Sequence, residues 1–283
     1  MSEHGAPPGG TITLGGDLTV GRLGFGAMRL CGPGVWGEPA DPAAARLVLR
    51  RVVDLGVTLI DTADAYGPEV NERQIAEALY PYPAGLVIAT KSGLLRPGPG
   101  RWTPDGRPEH LRAACEASLR RLKLERIDLY QLHSPDPRVP FEDSVGTLAE
   151  LQAAGKIRHI GLSNVSVDEL RRARRIAPIA SVQNRFNLSD RSSDAVVSTC
   201  QQAGIAFLPW YPLNAGGSAA GTGALGTVAR RHGAPPVQVA LAWLLARAPV
   251  VVPIPGTSQI AHLEENVAAA SLRLTAEDLR ALS

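Results

Sequence analysis

What most constrains this chain is a cadence: a short, mostly apolar run, a polar loop, then a helical pattern, repeated along almost its whole length. The runs at 23–26, 57–60, 86–90, 127–132, 157–162, 181–184, 205–209 and 250–253 read as strands, because turn residues bound them and β-branched residues are common within them. Helical patterns follow at 42–55, 69–79, 108–122, 141–154, 168–175, 193–203, 236–247 and 259–269. The first is announced by Asp41 at the N-cap and Pro42 at the first helical position. Eight strand–helix units in 283 residues predict an α/β fold, a (β/α)8 TIM barrel. A doubly wound sheet would open on a glycine-rich phosphate turn, and Gly24-Phe25-Gly26-Ala27-Met28 does not complete that fingerprint. Ahead of the first unit, 11–14 and 18–20 flank Gly15-Gly16-Asp17 and predict an N-terminal β-hairpin cap. Residues 1–10, rich in Gly and Pro, are expected to be disordered, and 11–283 to form one barrel domain.

Composition narrows the partners. Acidic and basic residues nearly balance, leaving a formal charge of +2, which is no field for gripping nucleic acid or an anionic membrane. The run Arg171-Arg172-Ala173-Arg174-Arg175 falls in a helical stretch and reads as a solvated face. Cys31, Cys115 and Cys200 are far apart, without a CxxC pair or a His at ligand spacing, so no metal site is expected and a reducing compartment fits. The chain shows no basic-then-apolar start and no run of about 18 apolar residues, so a cytoplasmic protein without a membrane partner is expected.

Barrels place their chemistry at the carboxyl ends of the strands. There the second strand stops abruptly at Asp61 and, a turn later, Tyr66; the third delivers Lys91 and the fourth His133. Each alone has an ordinary explanation as a cap, a turn residue or a structural histidine. Four such residues at the ends of three successive strands form a constellation on one face. Two long loops, 96–107 and 209–223, leave the same face and are long enough to fold over a ligand.

The segment 56–67, Gly-Val-Thr-Leu-Ile-Asp-Thr-Ala-Asp-Ala-Tyr-Gly, resembles the signature of the aldo-keto reductases, in which an Asp and a Tyr at this spacing join a Lys and a His from the next two strands. The resemblance covers about 11–282. It implies reduction of an aldehyde or ketone to an alcohol by hydride transfer from NADPH, with Tyr66 as proton donor. A free tyrosine, with a pKa of about 10, holds its proton too tightly for that work near neutrality. Lys91 is expected to lower that pKa, Asp61 to hold Lys91, and His133 to orient the carbonyl oxygen.

The same resemblance implies that Ser163, Asn164 and Gln183, at the fifth and sixth strand ends, bind the nicotinamide carboxamide. Trp210, where a Tyr is more usual, would stack on the ring with Pro212 and Leu213 beside it. Gly256, Thr257 and Ser258 precede a helix bearing His262, Glu265 and Asn266, and the resemblance assigns this stretch to the adenosine 2′-phosphate and adenine. Many relatives carry Lys and Arg where this chain has Gly256 and His262, so the preference for NADPH over NADH is expected to be narrow. Met28, Leu30, Trp36 and Trp102 are candidates for the substrate pocket, and their apolar bulk favours a hydrophobic or aromatic carbonyl compound.

Three stretches, 78–82, 235–245 and 254–258, look like the bacterial branch of the family that includes a pyridoxal reductase. A pyridoxal-type reductase or dehydrogenase is therefore one specific expectation. A non-catalytic NADP-binding regulatory subunit, as in the family's potassium-channel β subunits, is the alternative from another class. A monomer or weak oligomer with a small-molecule carbonyl partner is expected.

Overall fold

The structure, a computed structural model, describes residues 7–214 and 222–282. A hairpin of β1 (Thr11–Leu14) and β2 (Leu18–Gly21) opens the chain, followed by β3 (Phe25–Gly26), α1 (Pro42–Asp54), β4 (Leu59–Asp61), α2 (Val70–Leu79) and β5 (Val87–Ser92). A second hairpin, β6 (Leu94–Gly98) and β7 (Arg101–Pro104), precedes α3 (Pro108–Leu122). Next come β8 (Ile127–Leu132), α4 (Phe141–Ala153), β9 (Ile157–Ser163), α5 (Val167–Ala173), β10 (Ile179–Gln183), α6 (Asp194–Ala203) and β11 (Ala206–Phe207). Four helices complete the described chain: α7 (Gly223–His232), α8 (Pro236–Arg247), α9 (Ile260–Ala268) and α10 (Ala276–Ala281).

Seven strands pair in the order β11-β10-β9-β8-β5-β4-β3, every pair parallel. The stretch predicted as the eighth strand closes the ring without forming a ladder. Phe207 bridges to Val251, and the amides of Gly24 and Gly26 donate to the carbonyls of Pro253 (2.9 Å) and Pro255 (3.2 Å). Pro253 and Pro255 lack N–H groups, so this segment can accept from β3 but cannot sustain a continuous exchange. The barrel expectation stands, with its last stave reduced to isolated bonds.

Alternation along the strands makes two cores. Inward-facing Leu59, Val87, Ala89, Leu129, Ala180, Ala206, Val252 and Ile254 fill the barrel and meet Leu14, Leu18 and Val20 of the N-terminal hairpin. That hairpin plugs the amino-terminal end, where Arg158 holds Asp17 at 2.9 Å. Outward-facing residues such as Ile60, Ile88, Tyr130, Leu132 and Leu162 pack under the helices. At about 25 cal/mol per Å² of apolar area removed from water, both layers stabilise the fold, but only the inner one leaves its carboxyl end open for polar groups.

Several elements differ from expectation. The loop at 96–107 contains the antiparallel β6–β7 hairpin, with Leu94 opposite Pro104 and Leu95 opposite Thr103. α7 and α10 were not expected; α10 begins at a capping box between Thr275 and Asp278. Of residues 7–10, Gly10 accepts at its carbonyl from the Arg22 amide at 2.9 Å. The rest of the expected disorder, 1–6, lies outside the described residues, as does 215–221 of the loop at 209–223. Among the described residues no helix is long and apolar enough to cross a membrane.

Candidate active site

The period of two that fills the barrel also delivers its polar groups. Asp61 stands two residues beyond Leu59, Lys91 two beyond Ala89, Gln131 and His133 two and four beyond Leu129, and Gln183 two beyond Ser181. Strand register brings Asp61 beside Ala89 and Lys91 beside Gln131. Gly161 on β9 is paired with both Gln131 and Ser181, and a Cβ there would stand 2.6 Å from Cγ of Gln131. The missing side chain is what lets Gln131 lie across the barrel mouth.

Lys91 is wholly buried, and its ammonium donates to Asp61 Oδ2 (2.6 Å), the Thr62 carbonyl (2.8 Å) and Tyr66 Oη (3.4 Å). Asp61 Oδ1 accepts from Gln183 Nε2 (2.9 Å) and Gln131 Nε2 (3.1 Å). A buried ion pair is tolerable only when its remaining donors and acceptors are met, and here they are. Burial alone would lower the Lys91 pKa, but the Asp61 charge and Tyr66 outweigh it and hold the ammonium above its ordinary range.

Tyr66 is under two opposed influences, and Lys91 acts in the expected direction. Burial raises its pKa above the ordinary phenol value, and Lys91 only partly opposes that rise. The side chain is therefore a fully protonated phenol at neutral pH rather than a weakened one. His133 is held well below its usual value by burial and then by the positive charges of Lys91 and Arg96, so its imidazole is neutral. Its ring lies edge-on to Tyr66, with centroids 5.8 Å apart, and its Nδ1 is buried without a partner among the described residues.

Asp61, Tyr66 and His133 form the floor of a cleft of about 780 Å³ that runs past Trp102 to the start of α9, with Lys91 and Gln131 beneath that floor. That size suits a ligand well beyond a few atoms. Ser163, Asn164, Gln183, Trp210, Pro212, Leu213, Gly256, Thr257, His262, Glu265, Asn266 and Met28 all line it. Asn164 holds a left-handed backbone (φ 60°), donates to the His133 carbonyl (2.9 Å), and accepts from the indole N–H of Trp210 (3.0 Å). That bond holds the indole in the cleft wall. Gln183 uses its amide nitrogen on Asp61 and Gln131, which makes it a brace for the ion pair as well as a wall residue.

Four expected site residues do not line the cleft. Lys91 acts from beneath the floor. Leu30 is fully buried among Phe25, Val48 and Leu49, because the 3-10 turn Ala27–Leu30 rotates it into the layer under α1; it is a core residue, not a pocket one. Trp36 is half-buried and set back against Arg96, whose guanidinium carbon lies 5.7 Å from its ring centroid. Ser258 is exposed at the turn before α9, outside the cleft wall.

Gln131, beneath the floor, and the wall residues Tyr211 and Arg29 are among those that escaped sequence reading. Gln131 was visible as a polar break in an apolar strand. Tyr211 follows Trp210 in a left-handed backbone conformation (φ 58°). Arg29 is the one Lys or Arg among the described residues lining the cleft, and no ion pair engages it among the described residues. It lies against Gly256: a Cβ there would stand 3.6 Å from Cγ of Arg29 and 2.4 Å from the Gly26 carbonyl oxygen. No side chain fits at position 256, so the cation at this end of the cleft comes from the first strand's loop.

Comparison with known proteins is consistent with this geometry. Residues 22–283 match the model of the Aldo/keto reductase family. An uncharacterized oxidoreductase of Schizosaccharomyces pombe is 49% identical over 272 residues, which is 96% of this chain and 88% of that protein. Pyridoxine 4-dehydrogenase of Escherichia coli is 45% identical over 279 residues, 96% of each chain. Among solved structures, an aldo/keto reductase from Klebsiella pneumoniae in complex with NADP and acetate superposes with a TM-score of 0.83 at 27% identity, covering 96% of this chain and 93% of the other.

Proposed function

The chain belongs to the aldo/keto reductase family, and from that premise we propose that it uses NADPH to reduce an aldehyde or ketone to an alcohol, with Tyr66 donating the proton. One observation carries the reading: the Lys91 ammonium bridges Asp61 and the Tyr66 hydroxyl at the floor of a cleft large enough for a dinucleotide head and a small carbonyl compound.

The residues present fit the cofactor. Trp210 offers an indole held in the cleft wall, Ser163 and Asn164 flank it with polar atoms, and Arg29 and the amino end of α9 supply positive potential beside Gly256. Asn266 is buried and Glu265 half-buried in the wall beyond, where an adenine would find hydrogen-bonding partners. Bound NADPH supplies the hydride.

The chain's own groups handle the proton. Tyr66 stays protonated at Oη because burial raises its pKa. When the carbonyl oxygen gains negative charge it becomes the stronger base and takes that proton. Lys91, within 3.4 Å of Oη, stabilises the phenolate left behind, and Asp61 keeps the ammonium charged and aimed. Neutral His133 presents a ring N–H to the carbonyl oxygen without competing as an acid. Lys91 therefore offsets part of what burial costs the phenolate, and so lowers the barrier to giving up the proton.

The similarity to pyridoxine 4-dehydrogenase supports a pyridoxal-type substrate as the specific activity. Tyr66, Trp102, Met28 and Val35 around the reacting end form an aromatic and apolar wall suited to such a ring. The test is NADPH oxidation by the wild type with pyridoxal and a panel of aromatic and aliphatic carbonyls. Turnover with the aromatic members fastest is expected. Tight NADPH binding with no turnover across the panel would replace this reading with that of a regulatory subunit.

A further inference from the structure

Resting on that reading, we propose that Arg96 is a positioning residue that builds the substrate wall, holding Trp102 edge-on to Tyr66 and His133 and thereby selecting planar aromatic carbonyl compounds. The residue lies on β6, outside the proton-transfer constellation, and is nine-tenths buried. Its guanidinium donates to four main-chain carbonyls: Val35 (2.7 Å), Gly34 (2.8 Å), Ala65 (2.9 Å) and Arg101 (3.0 Å). Those acceptors belong to three segments separate in sequence: the loop after β3, the turn that carries Tyr66, and the β6–β7 hairpin.

The same cation lies 3.7 Å from the centroid of the Trp102 ring, close enough for a strong cation–π contact. Trp102 is otherwise poorly held. It is 37% exposed on a two-stranded hairpin, which alone is marginal in water. With Arg96 beneath it, the indole stands with its centroid 6.2 Å from Tyr66 and 6.1 Å from His133, edge to face with both. The indole thus forms a wall beside Tyr66 at the reacting end of the cleft.

The geometry also explains why arginine is needed. Four carbonyls converge from different directions on one planar fork, and an ammonium with three donors on a flexible stem cannot reach them all. The three segments are further laced by amides that depend on the same arrangement. Gly67 donates to Val35 (3.3 Å), Gly100 to Gly34 (3.1 Å), and Gly37 to the Gly67 carbonyl.

Two measurements test the proposal on the full-length protein. Steady-state kinetics with saturating NADPH would compare benzaldehyde and propanal for wild type, Arg96→Met, Arg96→Lys, Trp102→Ala and the Arg96→Met/Trp102→Ala double variant. Because a wall displaced by about 1 Å can cost about 100-fold, each single variant should lose about that much kcat/KM on benzaldehyde and less than about tenfold on propanal. In the double variant the loss should stay within about threefold of either single one, since both remove one device. Lysine should not rescue, and the NADPH dissociation constant should stay within about twofold throughout. Multiplying losses, or parallel losses on both aldehydes, would overturn the proposal.

Hydrogen exchange of the cofactor-free protein gives an answer independent of turnover. Arg96→Met should speed exchange at the amides of Gly37, Gly67 and Gly100 while leaving β4 and β5 protected. Unchanged exchange at those three amides would overturn the proposal even if activity fell. A wild type inactive on both aldehydes would sink the functional reading, and the exchange data would still decide on the clamp.

Discussion

The two ends of the cleft are built on opposite principles. At the floor and just beneath it, Asp61, Lys91, Gln131 and Gln183 are at most 2% exposed and joined by hydrogen bonds. At the far end, Arg29, Gly256 and His262 are exposed, and Arg29 has no ion-pair partner among the described residues. A buried charge must be matched within the protein, so the floor has few workable arrangements. An exposed cation can wait for its partner in water, so the far end can exchange one basic residue for another without disturbing the fold. On the proposed function, the floor fixes the chemistry and the far end sets which dinucleotide is preferred.

That contrast can be broken most violently at Lys91. Replacing it by Met leaves Asp61 buried without its counter-ion, which should cost about 3–5 kcal/mol of stability and lower kcat/KM at least about 1,000-fold. Denaturant unfolding and steady-state assays would read both. A pH profile comes next. Alcohol oxidation needs the Tyr66 phenolate, and since burial raises that pKa the rate should climb about tenfold per pH unit to beyond pH ~10. A plateau near neutrality would show that Lys91 outweighs burial after all.

At the far end the effects shrink. Arg29→Met should weaken NADPH binding about tenfold by fluorescence titration, with NADH changed less than about twofold, because only the phosphate-bearing cofactor presents the extra charge. Smallest of all, His262→Arg should tighten NADPH by about threefold at low salt and lose that gain as salt is raised. Equal effects of Arg29→Met on both cofactors would place the cation over the shared diphosphate instead of the 2′-phosphate.

The same contrast explains what could be read from sequence. Asp61, Lys91 and His133 announce themselves because a polar residue ending an apolar strand is conspicuous. Gln131 is conspicuous too, yet its partner lies 70 residues earlier and only the barrel register reveals it. Leu30 and Met28 look alike on the page, and a short 3-10 turn sends one to the core and leaves the other at the cleft. Arg96 left no trace, since its acceptors are main-chain carbonyls, which every residue possesses. Arg29 could have been suspected from Gly256, where a missing side chain next to a phosphate-type turn asks what else fills the space. The eighth strand was legible as apolar but not as broken, although Pro253 and Pro255 carry the reason.

The central claim is that Tyr66 gives the proton from a fully protonated phenol held by Lys91. Single-turnover reduction of an aromatic aldehyde by Tyr66→Phe, followed by NADPH absorbance, tests it most directly. The predicted result is a fall in rate of at least about 1,000-fold with the NADPH dissociation constant unchanged within about twofold. A rate equal to that of the wild type would contradict it.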